Sequence, residues 1–269
     1  MPHHDAELEA DTLVETAYAK VNVALHVRAR RDDGYHALES LFVFAEHGDR
    51  LIGRATDDGA IDLMIDGPFG GALDAGPGNL VMKAARALQS YLGEQRGAAI
   101  RLTKILPVAS GIGGGSADAA ATLRLLVRLW DVRIDDGELA ALSLDLGSVE
   151  GLAGMAMLLV NPGVAVPTGQ VFAGWDRQDR GALDAGSLKA LIEAGRNDLQ
   201  ASAIAVAPVI AQVLTCLETQ SGLTLARMSG SGATCFALFE DDAALADAAM
   251  AVRIAYPDWW VMETRIGAA

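Results

Sequence analysis

The sequence predicts an α+β fold, on two observations about the spacing of its apolar residues. Several short stretches alternate apolar and polar residues, which is the pattern of a half-buried strand, while others repeat apolar residues at helical spacing. In the last third of the chain, helical stretches precede the order strand, strand, helix, strand. That order is typical of helices layered on an antiparallel sheet, and we predict two domains, 1–154 and 155–269.

The clearest strand covers residues 19–28, AKVNVALHVR, and it places Lys20 and Asn22 on one face. In the first half, further strands are predicted at 41–44, 61–65 and 99–106. Helices are predicted from Asn79 to about 95, from Ser116 onward and at 136–146. We expect the helix that Asn79 caps to bury Leu80, Ala84, Ala87, Leu88 and Tyr91. We expect the helix from Ser116 to bury Ala119, Ala120, Leu123, Val127 and Trp130.

The second half continues the same alternation of elements. The predicted elements are strand 155–160, helical segments over 187–219 with a new one at Pro208, strands 223–228 and 233–239, helix 242–253 and strand 259–265.

Composition excludes several classes of protein. The 269 residues are 51% hydrophobic, which excludes a disordered chain, and 35 acidic against 21 basic residues give a net charge of −14. Such a charge argues against a nucleic acid or an anionic membrane as partner. Cys216 and Cys235 form no CxxC pair, so we expect neither a disulfide framework nor a zinc site. The acidic N-terminus lacks the features of a signal peptide, so we expect a cytoplasmic protein. We also expect it to be a monomer or a weak homodimer.

A glycine-rich segment, PVASGIGGGSADAAA at 107–121, follows a predicted strand and opens a predicted helix. Backbone N–H groups at a helix N-terminus form an anion site, and glycines allow phosphate oxygens to approach the backbone. No lysine precedes Ser116, so this is not a Walker A loop. A dinucleotide-binding loop is disfavoured because Ser116 replaces its third glycine. The alternative to phosphate binding is a plain glycine-rich connection.

Three further motifs carry possible chemistry. Lys20 with Asn22 could hold a phosphate or a reacting hydroxyl, although a lone lysine is more often a solvated surface residue. Tyr35 and His36 follow an Asp-Gly turn and could bracket a flat base by stacking and hydrogen bonding, or form an ordinary surface loop. Residues 229–233, SGSGA, form either a flexible hairpin turn or a ligand loop.

Taken together and in this order, the segments AKVN, DGYH, PVASGIGGGSA and RMSGSGA resemble the motifs of the GHMP small-molecule kinases. The stretches DGYHAL, NPG, PT, VF and RNDL narrow the resemblance to members that act on a cytidine diphosphate-linked methylerythritol in non-mevalonate isoprenoid synthesis. The resemblance covers residues 14–145 and 155–265. It implies a two-domain fold, with an N-terminal domain like domain 2 of ribosomal protein S5 and a ferredoxin-like C-terminal domain.

The resemblance also implies the chemistry and its residues. ATP with Mg²⁺ would supply a γ-phosphoryl group to the 2-hydroxyl of the methylerythritol unit. Lys20 would act as the catalytic residue beside that hydroxyl, with Asn22 near the substrate. Tyr35 and Phe172 would stack on the cytosine, His36 would bond its edge, and Thr168 would lie close by. The implied ATP-binding residues are Pro107, Val108, Ala109, Ser110, Gly111, Ile112, Gly113, Gly114, Gly115, Ser116 and Ala117.

The sequence departs from the family after Ser148. The family continues there with an aspartate that serves as general base, then Val-Pro and a strand hairpin, whereas this chain runs directly into residues 155–163, MAMLLVNPG. We interpret this as an internal deletion of roughly 20 residues. Asp145 and Glu150 are the nearest carboxylates that could substitute, and the alternative for both is a solvated surface position.

The sequence leaves three hypotheses about the activity and folding of the chain. The chain is an active kinase of the family, a catalytically impaired nucleotide-binding homologue that lacks the general base, or a chain that the deletion prevents from folding stably.

Overall fold

The computed structural model describes residues 11–133 and 151–267, which confirm the α+β class. The strands are β1 (Leu13–Arg30), β2 (His36–Thr56), β3 (Ile61–Asp66), β4 (Gly97–Thr103), β5 (Ala156–Asn161), β6 (Leu223–Met228), β7 (Cys235–Phe239) and β8 (Trp260–Arg265). The helices are α1 (Leu80–Leu92), α2 (Gly114–Leu129), α3 (Thr168–Ala173), α4 (Leu188–Glu193), α5 (Gln200–Val206), α6 (Val209–Glu218) and α7 (Asp242–Ala255). The predicted helix at 136–146, and with it Asp145, Ser148 and Glu150, falls outside the described residues.

The chain forms two compact units, and each is assembled from separate segments. The first comprises the described parts of 1–18, 48–108 and 114–145, and the second those of 19–47, 109–113 and 146–269. Strands β1 and β2, both longer than predicted, pass from one unit into the other. A single cut between residues 154 and 155 does not describe this arrangement, and the boundary at that point stays a prediction about sequence domains.

The first sheet has the strand order β1-β2-β4-β3. Strand β4 pairs antiparallel with β2 and parallel with β3. A parallel pair that is consecutive in sequence needs a crossover, and α1 supplies it between β3 and β4. The core of this unit joins α1 and α2 to the sheet through residues such as Leu88, Leu102 and Leu125.

The structure corrects the predicted buried faces of α1 and α2. Asn79 caps α1 as predicted, with its side chain accepting a hydrogen bond from the Val81 N–H. The buried residues of α1 are Val81, Met82, Ala85 and Leu88, whereas Leu80 and Tyr91 are exposed. The buried residues of α2 are Asp118, Ala121, Thr122, Leu125 and Leu126. Of the predicted α2 face, Trp130, just beyond the helix, is fully buried.

A buried ion-pair cluster explains why α2 turns Asp118 inward. The Lys104 ammonium contacts the carboxylates of Asp49 and Asp118, the latter at 2.6 Å, and all three side chains are almost completely buried. The second oxygen of Asp49 accepts the N–H groups of Ile105 and Leu106, at 2.7 and 2.9 Å. Burial raises the pKa of Asp118 to about 6, against the opposite effect of Lys104. A hydrophobicity pattern places a charged residue outside, so it misplaces this face.

The second unit contains the sheet β6-β7-β5-β8, in which each neighbouring pair is antiparallel. Its core packs this sheet against α6 and α7, through residues such as Leu158, Leu214 and Val252. The predicted layer of helices on an antiparallel sheet is thus confirmed, and α6 begins directly after Pro208 as expected. Helix α3 was not predicted. No helix within 11–133 or 151–267 is long and apolar enough to cross a membrane.

The Lys104 cluster gives a test of what stabilises the first unit. Lys104→Met leaves two buried carboxylates without their cation, so we expect the free energy of unfolding to fall by about 3–5 kcal/mol. Urea unfolding at neutral pH measures the change. Lys189→Met is the matched control, because the Lys189 side chain is 81% exposed and its ion pair with Glu193 is a surface pair. Equal effects of the two substitutions would contradict the role given to Lys104.

Candidate active site

A single buried hydroxyl joins three segments of the second unit. The Ser229 hydroxyl, in the loop between β6 and β7, accepts the N–H of Asn22 at 3.0 Å and donates to the carbonyl of Gly111 at 3.0 Å. Ser229 has no exposed surface. The carbonyl of Ser110 accepts the Thr234 N–H at 3.1 Å, which adds a second bond between the same two loops. The SGSG loop is therefore not a free hairpin turn, because it is fastened to β1 and to the glycine-rich segment.

Gly111 is required where the two loops meet. Its φ of +80° lies in the left-handed region, which disfavours residues with a Cβ. A Cβ at this position would lie 2.5 Å from the carbonyl oxygen of Ser229 and 2.9 Å from that of Gly232. Both the backbone angle and the close approach therefore demand glycine.

Lys20 lies beside the glycine-rich segment. Its N–H donates to the carbonyl of Ile112 at 3.0 Å, and a Cβ on Gly113 would lie 3.3 Å from the Cβ of Lys20. The ammonium donates to the Asn22 side-chain oxygen at 2.8 Å and sits 5.0 Å from the centre of the Phe42 ring. The shared strand face thus brings Lys20 and Asn22 into direct contact.

The electrostatic setting of Lys20 is unusual for a lysine. Burial lowers the pKa of its ammonium, because the charged form loses hydration. Within 11–133 and 151–267, Lys20 has no carboxylate at ion-pair distance, and its polar contact is the Asn22 amide. A partly desolvated ammonium with spare donors is suited to hold an oxygen that gains negative charge.

A cavity of about 630 Å³ opens in the second unit. Its lining includes four residues that the sequence analysis singled out, namely Tyr35, His36, Thr168 and Phe172. It also includes three residues that were not singled out, namely Arg30, Trp175 and Arg177. The His36 ring lies 5.0 Å from the Phe172 ring and 5.6 Å from the Trp175 ring, measured between centroids. Tyr35 is 74% exposed at the opening, so its ring is free to cover a ligand.

His36 is held in its neutral form at neutral pH. Burial lowers its pKa, and the positive charge of Arg30 lowers it further. A neutral imidazole offers one donor and one acceptor, which suits recognition of the edge of a base.

The cavity and the Lys20 region share the loop between β6 and β7. The hydroxyls of Thr168 and Ser231 lie 3.0 Å apart, so the first residue of α3 is joined to the loop that carries Ser229. The amide of Asn197 donates to the carbonyls of Met228 and Gly230, at 2.7 and 2.8 Å, and fixes the loop from the other side. Asn197 belongs to the RNDL segment, but its role was not anticipated.

Trp175 is the aromatic residue that sequence reasoning missed in the cavity. It follows Phe172 at helical spacing, and this spacing in VFAGW could have revealed it. The indole is almost fully buried, and within the described residues its N–H has no hydrogen-bond partner. A buried donor without an acceptor costs free energy, so the ring contributes its aromatic surface to the cavity at the expense of that bond.

The end of the glycine-rich segment opens α2 in the first unit. The helix begins at Gly114, so the prediction that Ser116 caps it is wrong by three residues, and Gly114 and Gly115 are helical. A Cβ on Gly114 would lie 3.1 Å from the Lys104 ammonium nitrogen. The helix therefore starts close to the buried ion-pair cluster, and its first N–H groups form the kind of terminus that binds anions.

Comparison with known proteins matches two family descriptions. Residues 79–158 match the GHMP kinases N terminal domain, and residues 180–258 match the GHMP kinases C terminal domain. The 4-diphosphocytidyl-2-C-methyl-D-erythritol kinase of Rhizorhabdus wittichii is 50% identical, over 94% of both chains. The enzyme of the same name from Novosphingobium aromaticivorans is 46% identical, over 94% of this chain and 92% of its own.

Solved structures agree with these matches. A crystal structure of 4-(cytidine 5'-diphospho)-2C-methyl-D-erythritol kinase superimposes with a TM-score of 0.79 at 30% identity, over 95% of this chain and all of the other. A mevalonate kinase structure, at 11% identity and a TM-score of 0.67 over 94% and 99% of the two chains, shares the fold.

The comparison bears on the predicted internal deletion. The match to the Rhizorhabdus wittichii kinase runs over 280 residues, more than the 269 of this chain. The relative therefore contains residues that have no counterpart here. Their position is not given by the match, so the deletion after Ser148 stays a prediction.

Gly111 allows the junction between the two loops to be tested. Gly111→Ala introduces a Cβ against the Ser229 carbonyl in a left-handed backbone, and we expect the melting temperature to fall by about 5 °C or more. Gly71→Ala is the matched control, because no atom lies within 4 Å of its would-be Cβ and its φ is ordinary. Differential scanning calorimetry measures both. A drop of equal size in the control would show that the junction has no special requirement.

Proposed function

The chain belongs to the GHMP kinase family, and on that premise we propose that it transfers the γ-phosphoryl group of ATP to the 2-hydroxyl of 4-diphosphocytidyl-2-C-methyl-D-erythritol. It is a small-molecule kinase, by its identity of 46–50% to kinases of that name. The observation that carries the proposal is structural: the Ser229–Ser231 stretch of one loop contacts both Asn22, the partner of Lys20, and Thr168, which lines the aromatic cavity. This arrangement supports a reacting centre and a base-binding site on one framework.

We assign the ATP phosphates to residues 107–117. Their glycines and the first N–H groups of α2 offer backbone donors to phosphate oxygens, and the helix dipole favours negative charge there. Magnesium enters as part of the Mg-ATP substrate. Within 11–133 and 151–267, no group of three or more His, Cys, Asp or Glu side chains could hold a resident metal ion.

We assign the cytosine to the aromatic cavity. Tyr35 and Phe172 provide ring faces for stacking, and neutral His36 supplies a donor and an acceptor to the edge of the base. Thr168 lies at the side of the cavity nearest the β6–β7 loop, and Asn22 lies with Lys20. The acceptor hydroxyl would then reach Lys20.

The reaction is an in-line displacement at the γ-phosphorus. The substrate oxygen forms a bond to phosphorus, the bond from phosphorus to the bridging oxygen of ADP breaks, and the hydroxyl proton leaves to a base or solvent. The Lys20 ammonium stabilises the negative charge on the reacting oxygens, and Asn22 holds it in place. Asp145 and Glu150, the sequence candidates for a base, lie outside the described residues.

One observation favours a second candidate, a catalytically impaired nucleotide-binding homologue. The aspartate that the family places after Ser148 is absent from the sequence, and loss of a general base costs about 10²–10⁴ in rate. Such a protein would bind both ligands without turnover.

We also propose that the enzyme is cytoplasmic and that it is a monomer or a weak homodimer. Its partner is its small-molecule substrate rather than nucleic acid or membrane. The net charge of −14 supports this, because polyanions repel an acidic surface.

Lys20 provides the first test of the proposed reaction. We expect Lys20→Met to lower kcat at least about 100-fold while CDP still binds, because the lysine acts on transferring charge and the base binds elsewhere. A coupled ADP-release assay with Mg-ATP and 4-diphosphocytidyl-2-C-methyl-D-erythritol measures kcat, with Lys189→Met as control. Full activity of Lys20→Met would contradict its role. A parent protein that binds both ligands but releases no ADP would support the impaired homologue instead.

His36 predicts a particular pH dependence of cytidine binding. The pKa of its imidazole is lowered, so it stays neutral until the pH falls below its ordinary value near 6.5 and then loses its acceptor on protonation. We expect cytidine affinity to be constant above about pH 7 and to fall about 10-fold under more acidic conditions.

Isothermal titration calorimetry over this range measures the effect. His36→Gln keeps a donor and an acceptor without a titrating group, so its affinity should lack the fall. The same fall in both proteins would assign the titration to another group.

A further inference from the structure

The cavity carries a local positive charge in an acidic protein. Its lining includes Arg30, the last residue of β1, and Arg177, four residues beyond α3. No aspartate or glutamate of the described residues belongs to the lining, although the whole chain has a net charge of −14. Two cationic residues in the lining of a cavity that also contains four aromatic side chains favour a ligand with an anionic part.

Three carboxylates that are close in sequence to these two arginines have other partners. Asp33 pairs with Arg31 at 2.7 Å, Asp179 pairs with Arg28 at 3.1 Å, and Asp176 pairs with Arg180. By contrast, no ion pair or side-chain hydrogen bond within 11–133 and 151–267 involves Arg30 or Arg177. Arg30 and Arg177 therefore keep guanidinium groups that no ion pair within the described residues neutralises.

The backbone of Arg177 is held in an unusual conformation. Its φ is +63°, in the left-handed region that residues with a Cβ rarely adopt. The neighbouring Asp176 carboxylate accepts the N–H of Gln178 at 3.0 Å and closes a turn around Arg177. Glycine or asparagine would adopt this conformation with less strain, and backbone strain of this kind is concentrated at ligand sites.

We infer that Arg30 and Arg177 form an anion subsite that holds the diphosphate of the cytidine ligand and makes the protein discriminate nucleoside diphosphates from nucleosides. The inference rests on the proposed function, and it adds a specificity determinant to the assigned cytosine site. Guanidinium groups bind phosphate oxygens through paired N–H donors, and two of them match two phosphates. The aromatic rings then select the base, and the arginines select the charge attached to it.

Binding of CDP and of cytidine separates these two contributions. We expect the parent protein to bind CDP more tightly than cytidine. Arg30→Met and Arg177→Gly should each weaken CDP binding about 10-fold and leave cytidine binding unchanged. Arg31→Met is the matched control, because Arg31 is adjacent in sequence, is paired with Asp33 and does not line the cavity. Isothermal titration calorimetry at about pH 8 keeps His36 neutral even when the charge of Arg30 is removed.

Arg177→Gly also separates a binding role from a structural one. Glycine relieves the left-handed backbone, so we expect the melting temperature to stay the same or rise while CDP affinity falls. Arg177→Lys keeps the charge and should recover part of the affinity. The inference is overturned if Arg30→Met and Arg177→Gly keep the parent's ratio of CDP to cytidine affinity. A parent protein that binds neither compound would instead contradict the proposed function itself.

Discussion

The organisation of the second unit depends on the hydroxyl of Ser229. A buried hydroxyl that lacked partners would cost about 1–3 kcal/mol, and here it accepts one backbone bond and donates another. Those two bonds fix the Asn22 backbone and the Gly111 carbonyl against the same loop. Lys20, the glycine-rich residues 109–113 and Thr168 take their positions from this framework. The proposed chemistry therefore depends on a group to which it assigns no reaction.

In the first unit, charged side chains rather than a hydroxyl fix the start of α2. The beginning of α2 lies on a buried lysine that contacts two carboxylates, and Gly114 allows the helix backbone to approach that lysine. A buried ion pair contributes little net stability compared with apolar packing, but removal of one member is costly. Such a cluster specifies one position for the helix start. The phosphate site proposed at this helix terminus would benefit from that precision, because phosphoryl transfer relies on positioning and charge stabilisation more than on covalent chemistry.

Much of the fold could be predicted because burial follows periodicity. The strand β6 was predicted at its observed bounds, and Asn79 caps α1 through the contact that its residue type favours. The errors have physical causes. Asp118 points inward because Lys104 pairs with it, which a hydrophobicity pattern does not register, and Gly114 and Gly115 are helical despite low intrinsic propensity. Arg30 and Arg177 escaped notice because residues so distant in sequence come to line one cavity only through the fold. Resemblance to a family supplied the candidate site residues, and the structure supplied their partners.

We propose that this site phosphorylates an alcohol on a cytidine diphosphate ligand. Phosphorus-31 NMR of the full chain with Mg-ATP and 4-diphosphocytidyl-2-C-methyl-D-erythritol tests it most directly, because the products are identified by their chemical shifts. We expect one new phosphomonoester resonance for each ADP formed, and no matching rise in inorganic phosphate. ADP accompanied by inorganic phosphate alone, without a phosphomonoester on the substrate, would contradict it.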